Sequence, residues 1–455
     1  MDEIVSLCKR RGFIFPSSEI YGGLANSWDF GHYGTLLKNN LRDVWWKSFV
    51  LDRSDMKGID ASIFLSPKVW ESSGHVAGFT DTLVDCKDCQ LRTRADHLIE
   101  GQMKDIKVEG MLVEKLTEII KKNSLKCPKC GKKNLTDVRN FNLLFETKMG
   151  IIEGDKSIIY LRGEIAQGIF INFKNILNSN RISIPFGIAQ QGKAFRNEIT
   201  MGQLVHRTLE FDLMEFEYFI SPDVWKSTFE YWRNEMWKWA ISIGINEVNL
   251  RWREHEEFER SFYSKRTMDI EYKYPFGWKE MFGIAYRTDF DLKNHMKNSG
   301  KDLTYKDPLT QKEYVPHVIE PTFGLSRLTG IVLTDAFRKE MVNGKERIYL
   351  KLDKSIAPIK VAVFPLQKDQ KLMKISLNLF NELKKEYVCE YDNKGNIGKM
   401  YRRQDEIGTP YCVTVDYESV EDATVTIRER DTMQQIRCPI NKVMSYLKEQ
   451  MFTIN

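Results

Sequence analysis

The segment from Ile182 to Ile220 limits the folds open to this chain more than any other. It reads ISIPFGIAQQGKAFRNEI, then TMGQLVHRT, then LEFDLMEFEYFI. Both flanking pieces alternate in polarity, which predicts two strands, and the short connection favours antiparallel pairing. Successive strand side chains point to opposite faces. Arg196 and Glu198 therefore share one face, and so do Phe211 and Glu215. An Arg beside a Glu on a sheet is either a plain ion pair or a guanidinium that clamps a phosphate beside a carboxylate that accepts from an amino group. Phe211 is either core or a platform for a purine. The second strand holds more carboxylates than an ordinary buried strand tolerates, so some must face solvent or a cationic ligand.

A second constraint lies in HVIEPTFGLSRLTGIVLTDAF, from His317 on, which reads as a strand, a Gly turn and an amphipathic helix. Glu320 and Thr322 lie two apart, and Pro321 between them cannot donate to a ladder. Gly324 allows a sharp turn. Arg327 then falls in the first helical turn, where a cation opposes the helix dipole. A phosphate partner would account for it.

Further upstream, residues 36–50 place Leu37, Leu41, Val44, Trp45 and Phe49 at helical spacing after Gly31 and Gly34. Residues 86–150 read as an insertion. It opens on Cys86 and Cys89, continues through a charged stretch with Leu112, Leu116 and Ile120 on one side, and reaches Cys127 and Cys130. The stretch between is predicted helical. Two C-x-x-C knuckles suit a structural Zn2+ in a four-thiolate tetrahedron, although the separation between them exceeds the usual ribbon spacing, and free thiols in two turns are the other reading.

Near Ser355 the pattern changes to strands alternating with helices. IKVAVFPL is a near-continuous apolar run, as expected of a strand buried on both faces. Leu372, Ile375, Leu379 and Leu383 then recur at helical spacing. A separate α/β domain over 355–455 is expected.

Composition restricts the partners. Net charge is only +5, and Lys+Arg against Asp+Glu nearly balance from Pro358 onward, so an RNA partner would rely on local patches. No apolar run is long enough to span a bilayer, and MDEIVSLCKRRGFIF lacks the pattern of a secretory signal, which makes the cytoplasm the expected location and membrane partners unexpected.

Several strings together resemble class II aminoacyl-tRNA synthetases in their glycyl, homodimeric form. GGLANSWDFGHYGTLLKNNLRDVWWKSFV resembles the first, dimer-forming motif, PFGIAQQGKAFRNEIT with RTLEFDLMEFEYF the second, and HVIEPTFGLSR the third. FYSKRTMDIEYKYPFGW, IAYRTDFDLKNH and YRRQDEIGTPYCVTVD are also similar to that family, so the likeness covers nearly the whole chain. It implies an α/β protein with an α+β catalytic core (1–85 and 151–345), built on the antiparallel sheet of class II enzymes flanked by helices. The insertion (86–150) and a C-terminal α/β anticodon-binding domain (355–455) complete it. It implies glycine activation with ATP and Mg2+, then transfer to the 3′-terminal adenosine of tRNA(Gly), by a homodimer.

The resemblance also implies roles. Arg196, Glu198 and Arg327 would be catalytic. Asn197, His206, Phe211, Glu280, Met281 and Gly324 would join them around ATP. Arg94, Glu164, Phe211, Glu215, Glu320 and Thr322 would hold glycine, and the four cysteines would hold zinc. Leu209 stands where the family commonly has Arg, and Thr322 where Ser is common. In the last domain, Tyr401, Arg402, Arg403 and Arg428 are basic and aromatic residues open either to RNA contact or to plain solvation. The competing class is a non-enzymatic nucleic-acid-binding relative, which would be expected to lose the phosphate-binding arginines; Arg196 and Arg327 are both present.

Overall fold

The computed structural model describes residues 1–103, 106, 108, 110–150, 157–199 and 204–452. The TMGQ part of the expected connection and the first six residues of the expected 151–345 segment lie outside the described residues. The two expected strands form as Phe186–Phe195 and Glu210–Ile220, antiparallel from Glu210↔Phe195 to Phe219↔Phe186. They sit inside a seven-stranded sheet ordered Leu250–Glu254, Arg266–Tyr274, Gly277–Thr288, His317–Gly324, Glu210–Ile220, Phe186–Phe195, Met56–Gly58. Every neighbouring pair is antiparallel except the last.

Alternation divides this sheet into two faces. Met214, Phe216 and Tyr218 pack into the largest apolar cluster with Trp45, Phe49, Trp232 and Phe323. Phe211, Glu215 and Glu217 alternate with them and so share the other face. The helix expected over 36–50 runs His32–Trp46 and continues as a π turn, Lys47–Leu51, with Leu37, Leu41 and Trp45 fully buried. A Cβ on Gly34 would come within 1.9 Å of Phe13 O, so glycine is what lets this helix lie against the Phe13 backbone.

The first strand of the insertion's sheet, Thr80–Asp85, precedes the expected boundary at 86 and pairs with both Arg92–Arg94 and Arg139–Asn142. With the helices Ala95–Gln102 and Val113–Lys122 it encloses a separate apolar cluster that includes Val84, Ile99, Leu116 and Ile120. Leu112, expected on that helix's apolar side, precedes the first turn and is exposed.

Toward the C-terminus a five-stranded sheet is ordered Cys389–Tyr391, Val361–Pro365, Tyr411–Val415, Thr424–Glu429, Gln435–Pro439. The first three strands are parallel and the last two antiparallel. All five residues of Val361–Pro365 are buried, as the apolar run requires. The edge strand Gln435–Pro439 is exposed at every position but Cys438. Arg10 and Arg11 on the first helix reach Glu406, and Tyr33 Oη donates to Glu390, which ties this unit to the rest of the chain. No helix among the described residues is long and apolar enough to cross a membrane.

Candidate active site

The first strand of the pair ends at Phe195, so Arg196 and Glu198 leave the sheet instead of continuing on one of its faces. The Arg196 amide still donates to Leu209 O, the Glu198 amide turns back to Arg196 O, and the Asn197 amide is held by Leu143 O. This irregular exit separates the two side chains. Arg196 Nε donates to Gly163 O at 3.0 Å, and its guanidinium lies between the rings of Phe79 and Phe211. Glu198 instead faces Arg207 Nη1 at 3.7 Å. Arg196 and Glu198 therefore do not spend their charges on each other.

Both side chains line a cleft together with His206, Phe211, Glu280, Thr322, Gly324 and Arg327. Two guanidiniums and an aromatic ring on one wall suit phosphates and a purine. Arg327 enters from the first turn of Leu325–Ala336, where the dipole disfavours a cation, and Glu280 compensates at 2.8 Å. The surrounding protein opposes a charge on Glu280, but the Arg327 guanidinium holds its carboxyl well below the usual range. Burial, helped by Arg327, lowers His206 to about 3, so its imidazole stays neutral, with Nδ1 3.1 Å from Tyr274 Oη.

One residue expected beside ATP, Met281, lies away from the cleft. A β-bulge in Gly277–Thr288 shifts the register from Ile270↔Phe282 to Glu271↔Glu280, leaving Met281 without an opposite residue. Two consecutive residues, Met281 and Phe282, thus turn into the large apolar cluster, and the Met281 side chain is fully buried away from the cleft. Gly324 does line the cleft, but its φ of −74° is one any residue adopts, so the turn does not require glycine.

Beside the cleft lies a buried polar cluster. Glu164, Glu215 and Glu320 are each 6% exposed or less. Thr322 Oγ1 donates to Glu215 at 3.0 Å, and Thr322 also lines the cleft, so one residue joins the two compartments. Arg287 is fully buried and binds Glu320 at 2.7 Å, Asp291 at 2.8 and 2.9 Å, and Glu164 at 3.4 Å. Its guanidinium stacks 3.8 Å from the Tyr263 ring centroid. Gln167 donates to Glu164 and Asp291, and His75 Nε2 lies 3.2 Å from Glu164.

Burial pushes the Glu215 carboxyl well up, and the nearby Glu320 and Glu164 add to it. Burial likewise raises Glu320 to about 7, against the pull of Arg287. Glu164 goes the other way: burial opposes its charge, but His75 and Arg287 hold it far down. This pattern of unequal carboxyls around incomplete positive charge suits a ligand cation.

Sequence reasoning misses Arg287, Asp291, Gln167 and His75. The only signal is the i, i+4 spacing of Arg287 and Asp291 at a strand–helix junction, which is too common to single out. Arg94, expected beside the amino acid, donates to Asp81 and Asp96 within the insertion, because its short strand abuts the start of helix Ala95–Gln102. In the C-terminal domain, Arg428 is internal, bound through both Nη atoms to Asp405, and Arg403 is bound to Asp392, so neither is a plain surface cation. Arg402 is exposed.

The four cysteines converge, although long in separation. Cys86 and Cys130 Sγ are 3.6 Å apart, and Cys89 and Cys127 Sγ 3.5 Å apart. Zn–S bonds near 2.3 Å put tetrahedral sulfurs about 3.8 Å apart, so the set fits zinc and is far too open for disulfides. The two knuckles repeat each other. The Cys86 and Cys127 amides donate to Leu91 O and Lys132 O, and the Gln90 and Gly131 amides to Cys86 O and Cys127 O. Gln90 and Gly131 both have positive φ.

A largely antiparallel sheet that carries a cleft lined by two arginines, with a carboxylate pocket beside it, fits the class II aminoacyl-tRNA synthetases whose motifs the sequence resembles. Comparison with known proteins agrees. A family model for an anticodon binding domain matches residues 360–450. The chain is 51% identical to a glycine–tRNA ligase of Caldanaerobacter subterraneus subsp. tengcongensis over 455 residues, covering 99% of this chain and 98% of that protein. It is 52% and 51% identical to those of Clostridium tetani and Clostridium acetobutylicum, each over 457 residues with the same coverage. The chain belongs to the glycine–tRNA ligase family.

Proposed function

We propose that this chain activates glycine with ATP and esterifies tRNA(Gly) with it. The observation that carries the reading is Thr322, which lines the cleft of Arg196 and Arg327 while its hydroxyl holds Glu215 of the carboxylate pocket. An adenylate needs this juxtaposition, with an amino acid and a nucleotide meeting at one point.

In this reading ATP lies in the cleft with adenine on Phe211 and its amino group toward Glu198. Arg196, held over Phe211, faces the α-phosphate and the reacting carboxylate, and Arg327 faces the γ-phosphate. Neutral His206 and Gly324 complete the wall, and Asn197 supports the same loop. Glu280 is half exposed beside Arg327, and one such carboxylate plus substrate phosphates suits Mg2+, which would neutralise the phosphate charge. Glu164, Glu215, Glu320 and Thr322 surround the glycine ammonium and α-carbon. No protein nucleophile is needed. The glycine carboxylate oxygen attacks the α-phosphorus as the bond to pyrophosphate breaks, and positioning plus cationic charge stabilise the transition state. A 3′-terminal ribose hydroxyl of tRNA then attacks the acyl carbon and AMP departs.

We assign 1–79 and 151–345 to the catalytic core, 80–150 to the insertion, whose sheet begins at Thr80–Asp85, and 355–455 to the anticodon-binding domain. We also place a structural Zn2+ on Cys86, Cys89, Cys127 and Cys130, a second copy of the chain against the first motif, and the enzyme in the cytoplasm. The apolar loop before that motif, with Ile20 88% and Tyr21 87% exposed, supports a partner surface. Sedimentation giving only a 53.4 kDa species would overturn the dimer.

The test is glycine-dependent exchange of pyrophosphate into ATP without tRNA, beside Arg196→Ala. Exchange with glycine but not alanine or serine, lost in the variant, is expected. No exchange with any amino acid would refute the reading.

A further inference from the structure

Glu217 stands apart from every role assigned above. It is fully buried, and neither carboxyl oxygen has a hydrogen-bond partner among the described residues. It follows Glu215 on the same face of Glu210–Ile220, one step deeper. The register Glu215↔Thr322 and Tyr218↔Ile319 brings it opposite Glu320 on the neighbouring strand. One oxygen from each of Glu215, Glu217 and Glu320 falls within 4.8 Å of the others. Below Glu217 begins the apolar cluster of Phe219, Ile188 and Phe170.

Two facts about this arrangement cannot both hold if Glu217 is ionised. A carboxylate accepts hydrogen bonds and cannot donate, so neighbouring carboxylates cannot satisfy one another without a proton between them. The charge count is also lopsided. Glu320 opposite, Asp291 on the helix Phe290–Ser299 and Glu164 share the guanidinium of Arg287, and the buried Arg162 faces Glu215 on the same strand. The nearby bases are His75 and His295, and the Tyr263 ring stacks on Arg287. Burial lowers the His295 imidazole and favours its neutral form. A single ammonium could not balance five buried carboxylates facing two arginines.

We propose that Glu217 is a positioning residue of the amino-acid pocket, acting as a neutral carboxylic acid whose O–H is shared with the flanking Glu215 and Glu320 carboxylates and removes one negative charge from the pocket. Burial and the adjoining Glu320 push its carboxyl well above the ordinary range, in the direction this role needs. The proton does not leave during catalysis. It keeps Glu320 and Glu215 aimed at the substrate, as a donor fixed to the sheet. The inference rests on the glycine-activation reading for its substrate, but not for the protonation state.

The test compares Glu217→Gln with Glu217→Leu. Glutamine keeps a donor and no charge, whereas leucine keeps the approximate size and no donor. In infrared difference spectra at neutral pH, wild type minus Glu217→Gln should show a carboxylic C=O stretch and no carboxylate bands. In glycine-dependent exchange, Glu217→Gln should raise the glycine KM about threefold and Glu217→Leu at least about tenfold, with the ATP KM moving less than about twofold in either. A carboxylate band in place of the acid band, a glutamine variant as impaired as the leucine one, or a leucine variant indistinguishable from wild type would each overturn the proposal. If wild type exchanges with no amino acid, the activation reading falls, while the infrared result still decides the state of Glu217. If Glu217→Leu fails to fold, the spectrum and glycine KM of Glu217→Gln remain decisive.

Discussion

Arg327 and Glu280 form an ion pair, Nη1 to Oε1 at 2.8 Å, across one end of the cleft. Glu280 compensates a guanidinium that the helix N-terminus disfavours, yet half of the Glu280 side chain remains exposed. A triphosphate offers Arg327 more negative charge than that carboxylate does. Arg327→Ala should lower kcat/KM for ATP by roughly 10²- to 10³-fold, with little change in the glycine KM. Equal losses for both substrates would instead mean that Arg327 supports the fold of the whole site.

Thr322 links the two compartments through one hydroxyl. Thr322→Val removes the donor to Glu215 while keeping the shape, so it should raise the glycine KM by about tenfold, the cost of an unsatisfied buried acceptor. Thr322→Ser keeps the donor and should stay within about threefold. Steady-state exchange kinetics on both variants would check this, and a silent valine variant would remove Thr322 from the pocket.

Among the described residues, Arg287 is the one guanidinium that binds Glu164, Asp291 and Glu320 together. Removing one partner of a buried ionic group leaves uncompensated charge, so Arg287→Met should destabilise the protein by about 3–5 kcal/mol in urea unfolding. A loss below about 1 kcal/mol would show that the acids neutralise themselves by taking up protons.

Burial raises Glu320 from an ordinary 4.5 to about 7, with Arg287 pulling against it. Between those values the folded state keeps a proton that the unfolded chain has released. Stability from this group is therefore present below about pH 4.5 and lost as pH rises through about 7. Glycine brings an ammonium that needs the ionised form. The glycine KM should fall as pH rises through about 7, and glycine should stabilise the protein against heat more at pH 8 than at pH 6. A glycine KM that is flat across this range would contradict the assignment.

Zinc should bind at about one ion per chain, by elemental analysis, and Cys127→Ser should abolish it. The insertion's core holds few large side chains, so loss of the metal should expose the amides of Thr80–Asp85 and Arg139–Asn142 to hydrogen exchange. The seven-stranded sheet should stay protected. Because Leu143 O holds the Asn197 amide, a fall in exchange activity is also expected. Undisturbed protection in the insertion would mean that the knuckles close without metal.

Much of this fold is legible in the amino-acid sequence. Strong periodicity marks the Ile182–Ile220 hairpin, the helix through Trp45 and the alternating C-terminal domain, because burial on one face writes a repeating pattern. Single-residue directions are less legible. Met281 turns into the core through a bulge, and Arg196 and Glu198 part company where their strand ends, since neither event leaves a periodic trace. Arg428, with the sequence character of a surface cation, is buried because Asp405 on a neighbouring helix meets it.

What the sequence determined by itself was the inventory: two arginines suited to phosphates, a strand overloaded with carboxylates, and two pairs of thiols. Local spacing is enough for that, since neighbours along a strand or helix are fixed by backbone geometry. What the tertiary structure decided was which of these groups meet. Arg287 comes from one strand, Glu320 from the next, Glu217 from the one after, and Glu164 from the segment before the helix Ala166–Asn180. Their shared burial follows from strand order and register, and it is this enclosure in a low-dielectric interior that turns scattered acids into a site for one ammonium.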